Sequence, residues 1–248
     1  MNNTTVRLGL AAAVVVLAVF LGINYLSGSN VGNDPEASPS PSTAASAAAS
    51  ARPLPIAQGT ELTAGTYFLR SFPVQLTVKV PTFEAPAVWF AGCAGGGVVE
   101  QGVCSRSTPT APVFAVDFLI VDNVVADPCS AGGELLDPPV GPTVDDLVTA
   151  ISSLEGFEAT APLDVTVDGF HGKAFTLTAP ATPPAGCDLR TWATAQRTNG
   201  MGPGESIVLR ILDVDGTRVV ITAAYGPETS EADISAVQQL LASVRIAP

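Results

Sequence analysis

One histidine, four cysteines and a surplus of carboxylates are the side chains of this chain that could do chemistry. His171 is the single histidine of 248 residues, so any Ser–His–Asp or Cys–His nucleophile would have to be built on it. It falls in Gly169-Phe170-His171-Gly172, which reads as a turn between two strands. A turn histidine is ordinary, and no catalytic residue is assigned. The chain has no G-x-S-x-G, P-loop, Rossmann glycine pattern or H-E-x-x-H, so no cofactor site is assigned either.

The carboxylates are numerous, but most have a local reason to exist. Asp213-Val214-Asp215-Gly216 resembles the start of a calcium loop, yet Thr, Arg and a β-branched run follow where further oxygen ligands would be needed. A tight hairpin turn explains those residues better. Asp145 and Asp146 suit the first turn of a helix, where negative charge complements the helix dipole. Glycoside hydrolysis would need two carboxylates facing each other across a cleft, which a linear sequence does not display. Trp89, Phe90 and Trp192 suit a core better than a pocket wall. Gly95–Gly97 reads as a loop and not a phosphate cradle, because no helix start follows it.

Cys93, Cys104, Cys129 and Cys187 make an even set. In an exported domain the expectation is two disulfides, with three pairings open. Cys93–Cys104 would close the loop AGGGVVEQGV, and Cys129–Cys187 would join two Pro/Gly-rich loops that follow strands. This pairing is favoured. A zinc site is the rival, but its ligands usually come in close pairs such as C-x2-C, and none occurs. No metal ligand is assigned.

Export is read from the start of the chain. Met1–Arg7 is polar with one basic side chain and precedes Leu8–Leu26, in which Asn24 is the only strongly polar residue. About 19 helical residues span roughly 28 Å, the thickness of a bilayer core. A cleaved signal is the alternative, but the apolar run is long for one and no small-x-small site lies close to its end. A buried helix is a third reading. Arg7 precedes the run and Asp34 and Glu36 follow it, so the positive-inside bias keeps Met1–Arg7 cytoplasmic and exports the rest. The expected partner is therefore the membrane, through Leu8–Leu26.

Ser27–Gln58 is rich in Ser, Ala, Pro, Gly and Asn, and is expected to be a disordered tether. As a coil it would reach roughly 30 Å. Gly59–Pro248 is left as one extracytoplasmic domain. Of 11 Lys and Arg against 23 Asp and Glu, only Arg7 precedes the apolar run, so the exported part is more acidic than the chain's net −12. Such a domain, lacking any basic stripe, would be repelled by nucleic acid.

Within the domain, short strands are expected at Thr66–Arg70, Val74–Val80 and Ala87–Ala91, and a long one at Val113–Val125. Thr143–Leu154 reads as a helix with a Thr143/Asp146 capping box, stopped by Gly156. Leu163–Asp168 pairs with Lys173–Ala179, and Ser206–Val214 with Thr217–Tyr225 across Asp215-Gly216. A last helix starts at Thr229 or Ser230, and Val244–Ile246 closes an edge. The expected fold class is α+β: one antiparallel sheet covered by two main helices, a two-layer sandwich.

The segments VDGFHGKAFTLTAP, Cys187-Asp188, Trp192, ILDVDGTRVVI and the closing SVRI (Ser243–Ile246) resemble extracytoplasmic domains of actinobacterial envelope proteins, over roughly Ala111–Pro248. The strand-then-helix ending is more distantly similar to the PsbP-like α/β sandwich. These motifs are structural, so the resemblance implies location and fold more than activity. The expected function is non-catalytic binding of a small ligand, a wall component or another envelope protein. The alternatives are a hydrolase using carboxylates and a structural accessory subunit of an envelope complex. A deep pocket with two inward carboxylates of raised pKa would mark the hydrolase, and an apolar groove would mark binding.

Overall fold

The computed structural model describes residues 51–57, 59–82, 88–92, 100–106 and 114–247. The apolar segment Leu8–Leu26, most of the tether, Cys93 and Gly95–Gly97 lie outside them. Ala49–Pro248 forms one compact unit. Among the described residues no helix is long and apolar enough to cross a membrane.

The first strands are β1 (Arg52–Pro53), β2 (Thr60–Leu62), β3 (Gly65–Phe68), β4 (Gln75–Val80), β5 (Val88–Ala91) and β6 (Glu100–Arg106). Next come β7 (Phe114–Leu119), β8 (Asn123–Val124), helix α1 (Val144–Ser152), β9 (Glu158–Ala159), β10 (Leu163–Val167) and β11 (Phe170–Thr178). The chain ends with β12 (Arg190–Ala193), β13 (Thr198–Gly200), β14 (Ser206–Val214), β15 (Thr217–Tyr225), helix α2 (Glu231–Ala242) and β16 (Arg245–Ala247).

These strands form three sheets. The largest runs β10-β11-β14-β15-β7-β6-β5-β2, with β9 also pairing on β11. A second has the order β1-β3-β4-β16 and a third the order β13-β12-β8. The expectation of one sheet covered by two helices is therefore wrong. The reason is visible in the burial of the central strands. β7 is buried at every position, and β15 at all but its first two. A strand buried on both faces needs a layer on each, which a two-layer sandwich lacks.

On one face α1 packs against β11, β14 and β8. Leu147 and Ile151 of α1 there join Phe175, Leu209, Trp192 and Val124 in one core cluster. Helix α2 packs elsewhere, against β7 and β4, where the four-stranded sheet meets the large one. Gln101 ties that junction: its side chain accepts from the Arg70 N–H at 3.1 Å and donates to the Arg70 carbonyl at 2.7 Å. Arg52–Pro53, inside the segment read as a tether, pair in parallel with Tyr67–Phe68, and Leu54 is buried.

The helix caps and tight turns are set by residues close together in sequence. Thr143 caps α1 in a capping box with Asp146, and Ser230 caps α2. Asp168-Gly169 and Asp215-Gly216 both carry two successive positive φ values, the backbone of tight two-residue hairpins. The first hairpin is tighter than expected, which places His171 on β11 and out of the turn. Strand β16 pairs antiparallel with β4 at the edge of its sheet.

Candidate functional site

Three strands and one turn bring a polar cluster into the interior. Glu100 on β6 stands opposite Leu119, and Asp117 on β7 stands opposite Gly102 and Thr222. Because side chains alternate along a strand, this register puts Glu100, Asp117 and Thr222 on one face of the large sheet. The turn between β12 and β13 closes over them. It is held by the Thr194 N–H donating to the Arg197 carbonyl at 2.9 Å, and it presents both side chains to Glu100.

Glu100 is 1% exposed and fully engaged. Arg197 Nε donates to its two oxygens at 3.0 and 3.2 Å, Arg197 Nη2 makes a further bond to Oε1, and Thr194 Oγ1 donates to Oε2 at 3.3 Å. The Arg197 side chain is 41% exposed, so the cluster lies one side chain below solvent. A buried carboxylate is stable only when paired and hydrogen-bonded in this way.

Asp117 is different. It is 8% exposed and accepts no hydrogen bond from the described residues. Burial pushes its pKa up to about 7; the neighbouring Glu100 adds to the rise, Arg197 opposes it, and Glu205 adds a smaller push. Glu205, in the loop before β14, is itself raised by burial, partly offset by the Gly202 N–H that it accepts at 2.6 Å. Asp117 rests over Gly102, where any side chain would collide with it.

The residues singled out from sequence are dispersed. Cys129 and Cys187 are bridged, as favoured. Cys104 is also in a disulfide, whereas Cys93 lies outside the described residues. His171 is exposed, and its Nδ1 is 3.1 Å from the Thr166 hydroxyl. It lines a depression of about 290 Å³ with Asp213 and Asp215, and a second of about 340 Å³ lies between Asp145, Asp213 and Arg218. Both are at the small end for ligand pockets. Asp213 accepts the Gly216 N–H at 2.8 Å, which spends one of its oxygens on the turn. Trp89 is buried edge-on to Phe114, and Trp192 sits in the core cluster. Among the described residues no three His, Cys, Asp or Glu side chains are grouped to hold a metal.

Glu100, Asp117 and Arg197 were not anticipated. For Asp117 a signal existed: it is the only charged residue in the apolar run VFAVDFLIV. Its partners come from strands far apart in sequence, so only the register unites them.

No protein-family model matches the chain, and no curated protein or solved structure matches it.

Proposed function

We propose that the chain is an extracytoplasmic binding module, held at a membrane through Leu8–Leu26, whose ligand site is the Asp117–Glu100–Arg197 cluster. One observation carries the reading: Asp117, 8% exposed, shares one sheet face with the buried Glu100, whose partner Arg197 has a side chain 41% exposed. Holding a carboxyl in the interior beside a second one costs free energy, and a ligand that brings a donor to it would offset that cost. The two inward carboxylates also bear on hydrolysis. Both oxygens of Glu100 are occupied by Arg197 and Thr194, however, which leaves Glu100 itself committed and not free to act as base or nucleophile beside Asp117. Binding is therefore the better supported reading, at a polar site and not an apolar groove.

The test is a thermal-shift screen of the full chain in detergent against wall components and small polar solutes, run beside Asp117→Asn. A ligand whose shift disappears in the variant supports the site. Shifts that are unchanged in the variant, or the absence of any, overturn it. The location has its own test: trypsin added to intact protoplasts should remove Gly59–Pro248, and full protection would reverse the orientation.

A further inference from the structure

We infer that the free edge of strand β10 docks the β10 of a second copy of this chain, the two strands pairing antiparallel about a two-fold axis at Val165. This edge shares no residue with the proposed ligand site. β10 is the outer strand of the large sheet, and among the described residues it pairs only with β11. The other strands at sheet edges, β1, β2, β8, β9, β13 and β16, are two or three residues long. β10 has five, LDVTV, and no proline, lysine or register shift interrupts it. Short length, lysine, proline and bulges are the devices that ordinarily blunt an edge.

The hairpin fixes which backbone groups face outward. Asp168-Gly169 is a two-residue turn, so Val167 and Phe170 on either side of it form the first hydrogen-bonded rung. Antiparallel rungs alternate, so Leu163 and Val165 also aim their N–H and C=O groups at β11. Asp164 and Thr166 aim theirs away from it, and no backbone group of a described residue meets them there. Asp164 and Thr166 are exposed, while Leu163 and Val165 are half-buried on the opposite face.

Three antiparallel registers set outward residues against each other, and charge separates them. Centring on Asp164 places that carboxylate against its own copy and Thr166 against Pro162, which has no N–H. Centring on Thr166 places Asp164 against Asp168. Centring on Val165 places Asp164 against Thr166 on both sides of the axis, a carboxylate facing a hydroxyl donor, and pairs every outward N–H and C=O. A parallel two-fold pairing would again set Asp164 against itself. Within each copy Asp164 is already balanced by Lys173 Nζ at 2.7 Å, so the favoured register adds no unpaired charge at the seam.

The experiment is oxidative cross-linking and sedimentation equilibrium of the full chain in detergent. Val165→Cys should oxidise to a covalent dimer, because a non-hydrogen-bonded antiparallel pair brings its Cα atoms to about 4.5 Å, within disulfide reach. Its failure to do so, or a covalent dimer from Asp164→Cys or Thr166→Cys, overturns the register. Thr166→Lys should tighten the dimer about 2- to 30-fold by placing an ammonium opposite each Asp164, and Thr166→Asp should weaken it by a similar factor. Both effects should shrink at high salt. Thr166→Pro removes an N–H that faces away from β11, so it should abolish the dimer while melting stays near the wild-type temperature. Equal dimerisation of the Lys and Asp variants overturns β10 as the seam. A wild-type chain that is monomeric at about 1 mM overturns the second copy as occupant and leaves the edge to a strand of another protein.

Discussion

Asp117 lies directly over Gly102 on the adjacent strand, so close that a Cβ on Gly102 would sit 1.8 Å from Asp117 Oδ1. The pair is a cross-strand partnership in which the missing side chain of one residue makes room for the carboxylate of the other. Glycine usually weakens a strand interior, and it is used where something must approach the backbone closely. Here that something is the buried carboxyl group of Asp117.

Gly102→Ala should therefore destabilise the domain by about 1–3 kcal/mol, the usual range for overpacking a filled interior. Truncating Asp117 should recover only part of the loss, because the same Cβ would lie 2.9 Å from the Val116 carbonyl oxygen. Denaturant melts of the two single variants and the double variant measure the coupling; independent effects would show that the two residues do not share one space.

The raised Asp117 pKa makes stability depend on pH in a defined sense. The folded state holds the proton more tightly than the unfolded chain, whose value is the ordinary 3.8. The resulting stabilisation is complete below about pH 3.8 and is lost as pH rises through about 7. The span corresponds to a contribution on the order of 4 kcal/mol. Glu205, also raised, acts in the same direction. Asp117→Asn should flatten the profile and make the variant more stable than the wild type at about pH 8. Parallel melting profiles for the two proteins between about pH 4 and 8 would refute this.

Removing the guanidinium strands Glu100. Arg197→Met should cost about 2–4 kcal/mol, below the figure for a fully buried pair because Arg197 is 41% exposed. Adding Glu100→Gln should restore much of it, since the amide needs no counter-charge. A double variant as unstable as the single one would mean that Arg197 acts through packing and not through charge.

What could be read from sequence divides along contact range. The capping box at Thr143 and Asp146, the Ser230 cap and the Asp215-Gly216 turn are decided by residues within a few positions of each other, and they stand where expected. Strand burial on both faces of β7 and β15 was legible in the continuous runs VFAVDFLIV and RVVITAAY. The four-stranded sheet was not legible, because β1, β3, β4 and β16 come from opposite ends of the domain and only the tertiary register joins them. The candidate site was the least legible part. Glu100 and Arg197 are separated by 97 positions, and their pairing depends on a turn whose placement is set by the β12–β8 and β12–β13 ladders.

The Cys129–Cys187 bridge fastens that same small sheet. Cys129 follows β8 and Cys187 precedes β12, and the Arg190 N–H donates to the Pro128 carbonyl at 2.9 Å beside the bridge. With a sequence separation of 58 between its ends, the bridge should contribute about 4 kcal/mol on chain-entropy grounds. The loss in Cys129→Ala/Cys187→Ala should not be uniform. Strands β12 and β13 are held to the rest of the protein by short ladders, so their amides should exchange fastest, and the turn carrying Thr194 and Arg197 should loosen with them. Hydrogen exchange followed by residue would show Thr191–Gly200 losing protection ahead of β14 and β15. Equal loss across both sheets would mean that the bridge stabilises the domain as a whole and does not hold the Arg197 turn in place over Glu100.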